Sequence, residues 1–257
     1  MKDDLGNRMK EQYENRTRYF LPRRTYTIIR LDGKAFHTFT KGMKRPYDQF
    51  LMDLMDKTAL SLTALIQGCK MAYTQSDEIS LLLTDFETIN TDAWFDGNIQ
   101  KMTSVSASIA TANFNILYAL YKIQVEEKTW ADIKMAYFDA RVFTIPDPTE
   151  VENYFVWRQK DAVRNSIAMT AQSLYSHKQL EGKSSSDQQE MIHDKGQNWN
   201  DMPEGFKRGR TIYLEKIPIM SEDSFDQEVY YNTSWKQEAL DFSKDRVQLA
   251  KIIPKIR

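Results

Sequence analysis

Two short stretches of this 257-residue chain carry acidic residues where they could do metal chemistry. Asp32 closes the apolar run Thr25–Leu31 and is followed by Gly33. Asp77 and Glu78 lie in Thr74-Gln75-Ser76-Asp77-Glu78, between the apolar runs Lys70–Tyr73 and Ile79–Leu83. If the strands that carry them lie side by side, both carboxylates project from one edge of a sheet. Two hard oxygen ligands so placed suit Mg²⁺, which takes a few carboxylates and leaves positions for water and substrate phosphates. Two ions held in this way can clamp both oxygens of an in-line phosphoryl transfer. The same residues also suit plain solvated turns, because Asp-Gly and Ser-Asp-Glu are ordinary turn sequences. Spacing alone leaves both readings open.

The elements around these residues follow from periodicity and punctuation. A polar, proline-free stretch from Asp3 to Arg18 suits an exposed helix. Thr25–Leu31 is β-branched and aromatic and reads as a strand. Phe50, Leu51, Leu54, Met55 and Leu62 recur at helical spacing, which predicts a helix over Tyr47–Ile66 with Gly68 at its stop. The two runs around Asp77 form a hairpin with an acidic tip. A helix over Ile99–Tyr121 and a strand over Ala140–Ile145 follow. Thr149 and Glu152 read as a capping box that opens one helix, or two in series, reaching about Tyr175. Residues 181–204 are polar and read as a mobile or partner-dependent segment. A strand over Arg210–Leu214 and a helix over Ser234–Lys251 complete the expectation. The order β-α-β-β-α-β over residues 25–145 is the ferredoxin-like pattern: an α+β fold, an antiparallel sheet with two helices on one face.

Bulk composition narrows the classes. The 35 basic and 36 acidic side chains nearly cancel, so any nucleic-acid contact must come from a local basic groove. Cys69 is the only cysteine, which excludes an intramolecular disulfide and fits a reducing compartment. With His37, His177 and His193 the only histidines, a Cys/His zinc site is not expected. The first residues, MKDDLGNRMKEQ, hold no apolar core of a leader, and no run approaches a membrane span. A cytoplasmic protein without a membrane partner is the expectation.

Longer motifs add specificity. Arg30-Leu31-Asp32-Gly33-Lys34-Ala35-Phe36-His37 and Ala72-Tyr73-Thr74-Gln75-Ser76-Asp77-Glu78 resemble the R-L-D-G-x-x-F-H and A-Y-x-Q-S-D-E signatures of the tRNA-His guanylyltransferase family. Shorter matches follow in order at Phe138-Asp139-Ala140-Arg141, Trp157-Arg158-Gln159-Lys160-Asp161 and Phe206-Lys207-Arg208-Gly209. The resemblance spans residues 10–215. It implies a polymerase-like palm with additional helices, in which chains grow in the 3′-to-5′ direction. Residues 1–24 then form an N-terminal helix and 25–180 the catalytic palm domain. Residues 181–257 are an extension that completes the palm and contributes to RNA binding or assembly.

The resemblance also implies roles. Asp32 and Asp77 hold two Mg²⁺ ions, the Gly33 carbonyl completes one shell and Glu78 supports the set. Lys34, Phe36, His37, Arg45, Asp48, Ser76 and Lys101 contact the nucleotide, with ATP or GTP activating the RNA 5′-phosphate before an NTP is added. Arg158, Arg164 and Asn165 are candidate RNA contacts; the basic clusters Lys207, Arg208 and Arg210, and Arg23-Arg24, suit RNA phosphates and equally suit ordinary solvated charge. The partner is a tRNA, and the assembly expected of the family is a homotetramer. One departure matters: after Trp157-Arg158-Gln159-Lys160-Asp161 the chain reads Ala162-Val163-Arg164-Asn165-Ser166, without the His-Ile-Asn stretch of eukaryotic members. The sequence therefore resembles the guanylyltransferase-like proteins of bacteria, archaea and phages, which repair 5′-truncated tRNAs against a template strand. Non-templated G addition to tRNA-His is the alternative, followed by a palm-type nucleotide cyclase.

Overall fold

The strand that delivers Asp32 is flanked on both sides by other strands, and its apolar side chains Tyr26, Ile28, Ile29 and Leu31 are fully buried. In the computed structural model, which describes residues 3–219 and 230–255, the chain opens with α1 (Asp4–Gln12) and then β1 (Tyr26–Gly33). A helical turn α2 (Phe36–Phe39), α3 (Gln49–Leu65), β2 (Cys69–Gln75) and β3 (Glu78–Leu83) follow. Next come α4 (Ile99–Gln124), β4 (Phe138–Ile145), α5 (Pro148–Leu174), α6 (His177–Leu180) and α7 (Ser185–Asp194). The last elements are α8 (Glu204–Arg208), β5 (Arg210–Ile219), β6 (Tyr230–Glu238) and α9 (Arg246–Ile252). The expected 1–24 and 181–257 segments include residues 1–2, 220–229 and 256–257, which lie outside the described residues.

The strands form one sheet in the order β4-β1-β3-β2-β5-β6, with every neighbouring pair antiparallel. The first four reproduce the ferredoxin-like order, and β5 and β6 widen it. One face carries Ile29, Leu31, Ala72, Ile79 and Leu81 into a core shared with α3 and α4. The other face carries Tyr26, Ile28, Met71, Tyr73 and Leu82 against α5 and α9. The two helices of the β-α-β-β-α-β unit, α3 and α4, lie on one face as expected, and the additional helices α5 and α9 cover the other, which is why β3 is buried along its whole length. Each fully buried apolar side chain in these layers contributes about 1.5–3 kcal/mol.

The turns that set the sheet edge are local necessities. Gly68 stands at φ +79 between α3 and β2, and a Cβ there would fall 2.5 Å from the Thr84 carbonyl oxygen. The α5 helix begins differently from the expected capping box. Asp147 is its cap, accepting from the Thr149 and Glu150 amides at 2.8 and 3.2 Å, with Pro148 in the first turn. Proline there sacrifices no hydrogen bond and has its φ already set for a helix.

Two other expectations are corrected. Residues 181–204 are ordered: Ser184 and Asp187 form a capping box for α7, and Leu180, Ile192 and Trp199 pack on Ile167 and Ala171 of α5. The few apolar residues in that polar stretch suffice to bind it down. Residues 234–251 do not form one helix. Up to Glu238 the chain pairs with β5, and a helix starts only at Arg246. A ready partner strand outweighs a weak helical period. No described helix is long and apolar enough to cross a membrane.

Candidate active site

The site is built from the ends of β1 and the β2–β3 hairpin. In register, Asp32 stands opposite Glu78 on β3 and Asp139 on β4. Gln75 pairs with Glu78, so Ser76 and Asp77 form a two-residue turn, with Ser76 at φ +46. The Gly33 amide donates to the Asp77 carbonyl at 3.1 Å, stitching the end of β1 to the hairpin tip. Asp32 and Asp77 therefore share one sheet edge. Gly33 has no room for a side chain: a Cβ would lie 2.3 Å from the Phe36 ring.

Burial, and next the charge of Asp32, push the Asp77 carboxyl up to about 6. Neither Asp32 nor Asp77 forms an ion pair among the described residues. No cluster of three or more Asp, Glu, His or Cys side chains that could cage a metal is found among them either. The donor set is two carboxylates with a nearby backbone carbonyl. That is a poor all-protein cage but fits Mg²⁺, which keeps waters and binds through one or two carboxylates plus phosphate. Glu78 is not a free member of this set. Its oxygens accept from Arg158 Nε and Nη2 at 2.8 and 2.6 Å, so it pins the hairpin to α5 instead.

On the α3 side of the carboxylates lies a cavity of about 480 Å³ whose wall includes His37, Lys44, Arg45, Asp48, Ser76 and Asp77. Arg45 is exposed and has no side-chain partner among the described residues. Asp48 spends its carboxylate on the loop itself, accepting from the Lys44 and Leu51 amides at 3.0 and 3.2 Å. Three expected nucleotide contacts do not present a free group to this cavity. Phe36 is 5% exposed, its ring packed on Phe39, Phe114 and Phe138, so it forms the cavity floor and offers no free face to a base. Lys34 has an exposed side chain that is not part of the cavity wall. Lys101 lies near the start of α4, where Ile99 donates to the Tyr19 carbonyl, and its ammonium sits over Phe95 at 5.6 Å. Thr111, ten residues on, is the α4 residue that meets Phe138 at the carboxylate edge, which puts Lys101 roughly 15 Å back along the helix.

On the α5 side a second cavity, about 420 Å³, includes Arg30, Asp32, Gln75, Asp77, Trp157 and Asn165 in its wall. Asn165 and Arg164 are exposed, Arg164 pairing with Asp161 at 2.7 Å. The other expected RNA contacts have their charges paired inside the protein. Arg158 is buried between Glu78 and Asp161. Lys207 is 3% exposed, paired with Glu204 and donating to the Asn200 carbonyl, both at 2.6 Å. Arg210 is 6% exposed and bound to Asp56 at 2.6 Å. Arg208 is held by Glu204 and Asp241. Of the second basic pair, Arg23 is tied to Asp85 at 2.7 Å.

Met169 and Gln172 also line the first cavity and were not expected there. With Asn165 they follow spacings of four and three on α5, which puts all three on one face. Extending the Asn165 face by two turns is the signal that would have found them.

A ferredoxin-like sheet with two carboxylates at neighbouring strand ends, flanked by two cavities, is the arrangement that two-metal nucleotidyl transfer on a palm requires. Comparison with known proteins makes this specific. A model of the tRNA(His) guanylyltransferase family matches residues 6–146. The chain is 31% identical over 220 residues to the tRNA(His) guanylyltransferase of Debaryomyces hansenii, covering 80% of this chain and 78% of that protein. A bacterial tRNA(His) guanylyltransferase-like protein solved in complex with ATP superposes with a TM-score of 0.83 at 39% identity, over 99% of this chain and 100% of that one. The same kind of bacterial protein in complex with GTP gives 0.78 at 37% identity, covering 98% and 99%. The chain belongs to the tRNA(His) guanylyltransferase family and is a nucleotidyltransferase.

The raised Asp77 pKa carries a stability prediction. The folded protein binds this proton more tightly than the unfolded chain, so the stability it contributes is fully present below about pH 4 and is lost as pH rises through about 6. In EDTA at pH 8, Asp77→Asn is expected to raise the melting temperature by roughly 4–8 °C. The gain should vanish at pH 4, as read by calorimetry on both proteins; an equal gain at both pH values would contradict the assigned cause.

Proposed function

We propose that this protein adds nucleotides to the 5′ end of a tRNA in the 3′-to-5′ direction, copying the opposite strand and so repairing truncated ends. The observation that carries the proposal is the placement of Ser76 and Asp77 in the walls of both cavities, with Asp32 beside them. In-line transfer needs the attacking and leaving oxygens on opposite sides of phosphorus, and two cavities meeting at the carboxylates provide for that.

Asp32, Asp77 and the Gly33 carbonyl would hold two Mg²⁺ ions, which when bound neutralise phosphate charge and lower the barrier to attack. In the activating step a 5′-phosphate oxygen of the RNA bonds to the α-phosphorus of ATP or GTP, and pyrophosphate leaves. In the addition step the 3′-hydroxyl of an incoming NTP bonds to the RNA 5′-phosphorus and loses its proton, and the activating nucleoside monophosphate leaves. Arg45 and Lys44 stand where they can meet triphosphate oxygens, while His37 borders the same cavity. Ser76 is exposed at the hairpin tip and offers its hydroxyl to phosphate. The complexes of the related bacterial proteins with ATP and with GTP support nucleotide binding here.

Templated repair is favoured over G addition to tRNA-His by the run Asp161–Ser166, which lacks histidine, and by the near-complete overlap with the bacterial guanylyltransferase-like protein. Base choice by pairing asks the protein only to grip the acceptor stem by shape and phosphate contact.

Asp32→Ala and Asp77→Ala should each lower nucleotide addition by roughly three orders of magnitude or more, while tRNA affinity in a filter-binding assay changes little. Full activity in either variant would refute the metal-ligand assignment. Given a truncated non-histidine tRNA and tRNA-His in parallel, the protein is expected to add the nucleotide complementary to the opposing base. Addition of G whatever base stands opposite would replace repair by tRNA-His maturation.

A further inference from the structure

The cavity on the α5 side holds features that the metal-binding pair does not use. Trp157 is 49% exposed at its rim, a large flat ring facing solvent on a helix whose inner face is packed into the core. The Arg158 guanidinium lies over that ring at 4.4 Å, and Tyr154 meets it edge-on at 5.9 Å. Arg158 is itself fixed by Glu78 and Asp161, so the ring is held from one side by a clamped cation. Deeper in, Gln75 is 3% exposed and its Oε1 has no hydrogen-bond partner; the buried Nε of Arg30 has none either. One unused acceptor and one unused donor therefore border the same space as the exposed ring. Burying such groups without partners is unfavourable, so a site that retains them fits a polar ligand that supplies the missing bonds.

We propose that this cavity receives the 5′-terminal nucleotide of the RNA, with its base stacked on Trp157 and its polar edge or ribose meeting Gln75 and Arg30. The inference rests on the nucleotide-addition reading above and names which wall of the site holds the RNA. The first cavity, with exposed Arg45 and Lys44, has free cations for a triphosphate; the second adds an exposed aromatic ring and two amides, Gln75 and Asn165, to Arg30 and the ion-paired Arg158. Its rim continues along α5 into exposed Lys160 and Arg164, at helical spacing from Trp157, which suits a polymer leaving the site with its phosphates beside the helix. Aromatic side chains hold nucleic-acid bases without regard to sequence, as a template-copying enzyme requires of the position already paired.

The test uses a 5′-truncated tRNA with 2-aminopurine as its first nucleotide. Wild-type protein should quench its fluorescence on binding. Trp157→Ala should abolish the quenching, Trp157→Phe should retain most of it, and Trp130→Ala, at an exposed tryptophan that lines neither cavity, should change nothing. In steady state Trp157→Ala should lower kcat/KM for RNA about 10- to 100-fold, with KM for the added NTP and for ATP within about twofold, and Phe should restore most of the loss. Unquenched fluorescence with wild type, an unchanged kcat/KM for RNA, or a loss confined to the KM of ATP would overturn the proposal, the last by giving the ring to the activating nucleotide. Because the fluorescence reading needs no turnover, wild-type quenching without nucleotide addition would refute the catalytic reading and leave the stacking site standing.

Discussion

Asp32 and Asp77 repel one another, and Asp77 is partly withdrawn from water, yet the fold holds them at the same sheet edge. The rest of the structure follows from the work of keeping them there. The amide of Gly33 ties β1 to the hairpin tip, and Glu78, the residue after Asp77, is clamped by Arg158 from α5. Removing one partner of such a buried pair costs about 3–5 kcal/mol, so the hairpin cannot easily swing away from β1 to relieve the repulsion. Apolar layers on both faces of the sheet make the strand ends rigid. The raised Asp77 pKa records its burial and then the electrostatic repulsion held at this edge.

Helix α5 connects this scaffold to the chemistry. Its inner face places Val151, Tyr154 and Phe155 on the sheet. Its other faces run from Trp157 at one cavity through Asn165 to Met169 and Gln172 at the other. Asn165 and Met169 also border a small cleft with Tyr47 and Phe206, whose rings lie 5.0 Å apart. A single straight helix thus fixes the distance between the two cavities. The buried network of Asp56, bound by Arg210, Thr74 and Gln237, ties α3 to β2, β5 and β6 just behind the same edge.

The sheet order and the acidic pair were legible because they depend on local signals: alternating apolar runs, Asp-Gly and Ser-Asp turns, and motifs that keep their spacing. What was not legible depends on direction and on distant partners. Phe36 looks like a base-stacking ring in sequence. The positive φ of Ala35 and the bare Gly33 turn it into the Phe114 cluster. Lys207 and Arg210 look like free cations, but their partners Glu204 and Asp56 lie respectively three residues and 154 residues away, and nothing in the sequence announces the second. The place of Lys101 was not legible either, since it depends on how far α4 runs between it and Thr111. Residues 181–204 look solvated because only a few apolar side chains, chiefly Ile192 and Trp199, anchor them together with hydrogen bonds to Tyr175 and Ser166.

The central claim is that Asp32 and Asp77 are arranged to hold divalent cations between the two cavities. Anomalous diffraction from crystals of this protein grown with Mn²⁺ and a non-hydrolysable NTP tests it directly. Two peaks bridging the Asp32 and Asp77 carboxylates, both lost in Asp32→Ala crystals, are the predicted result. A map with no peak at these carboxylates, or with peaks unchanged when Asp32 is removed, would contradict it.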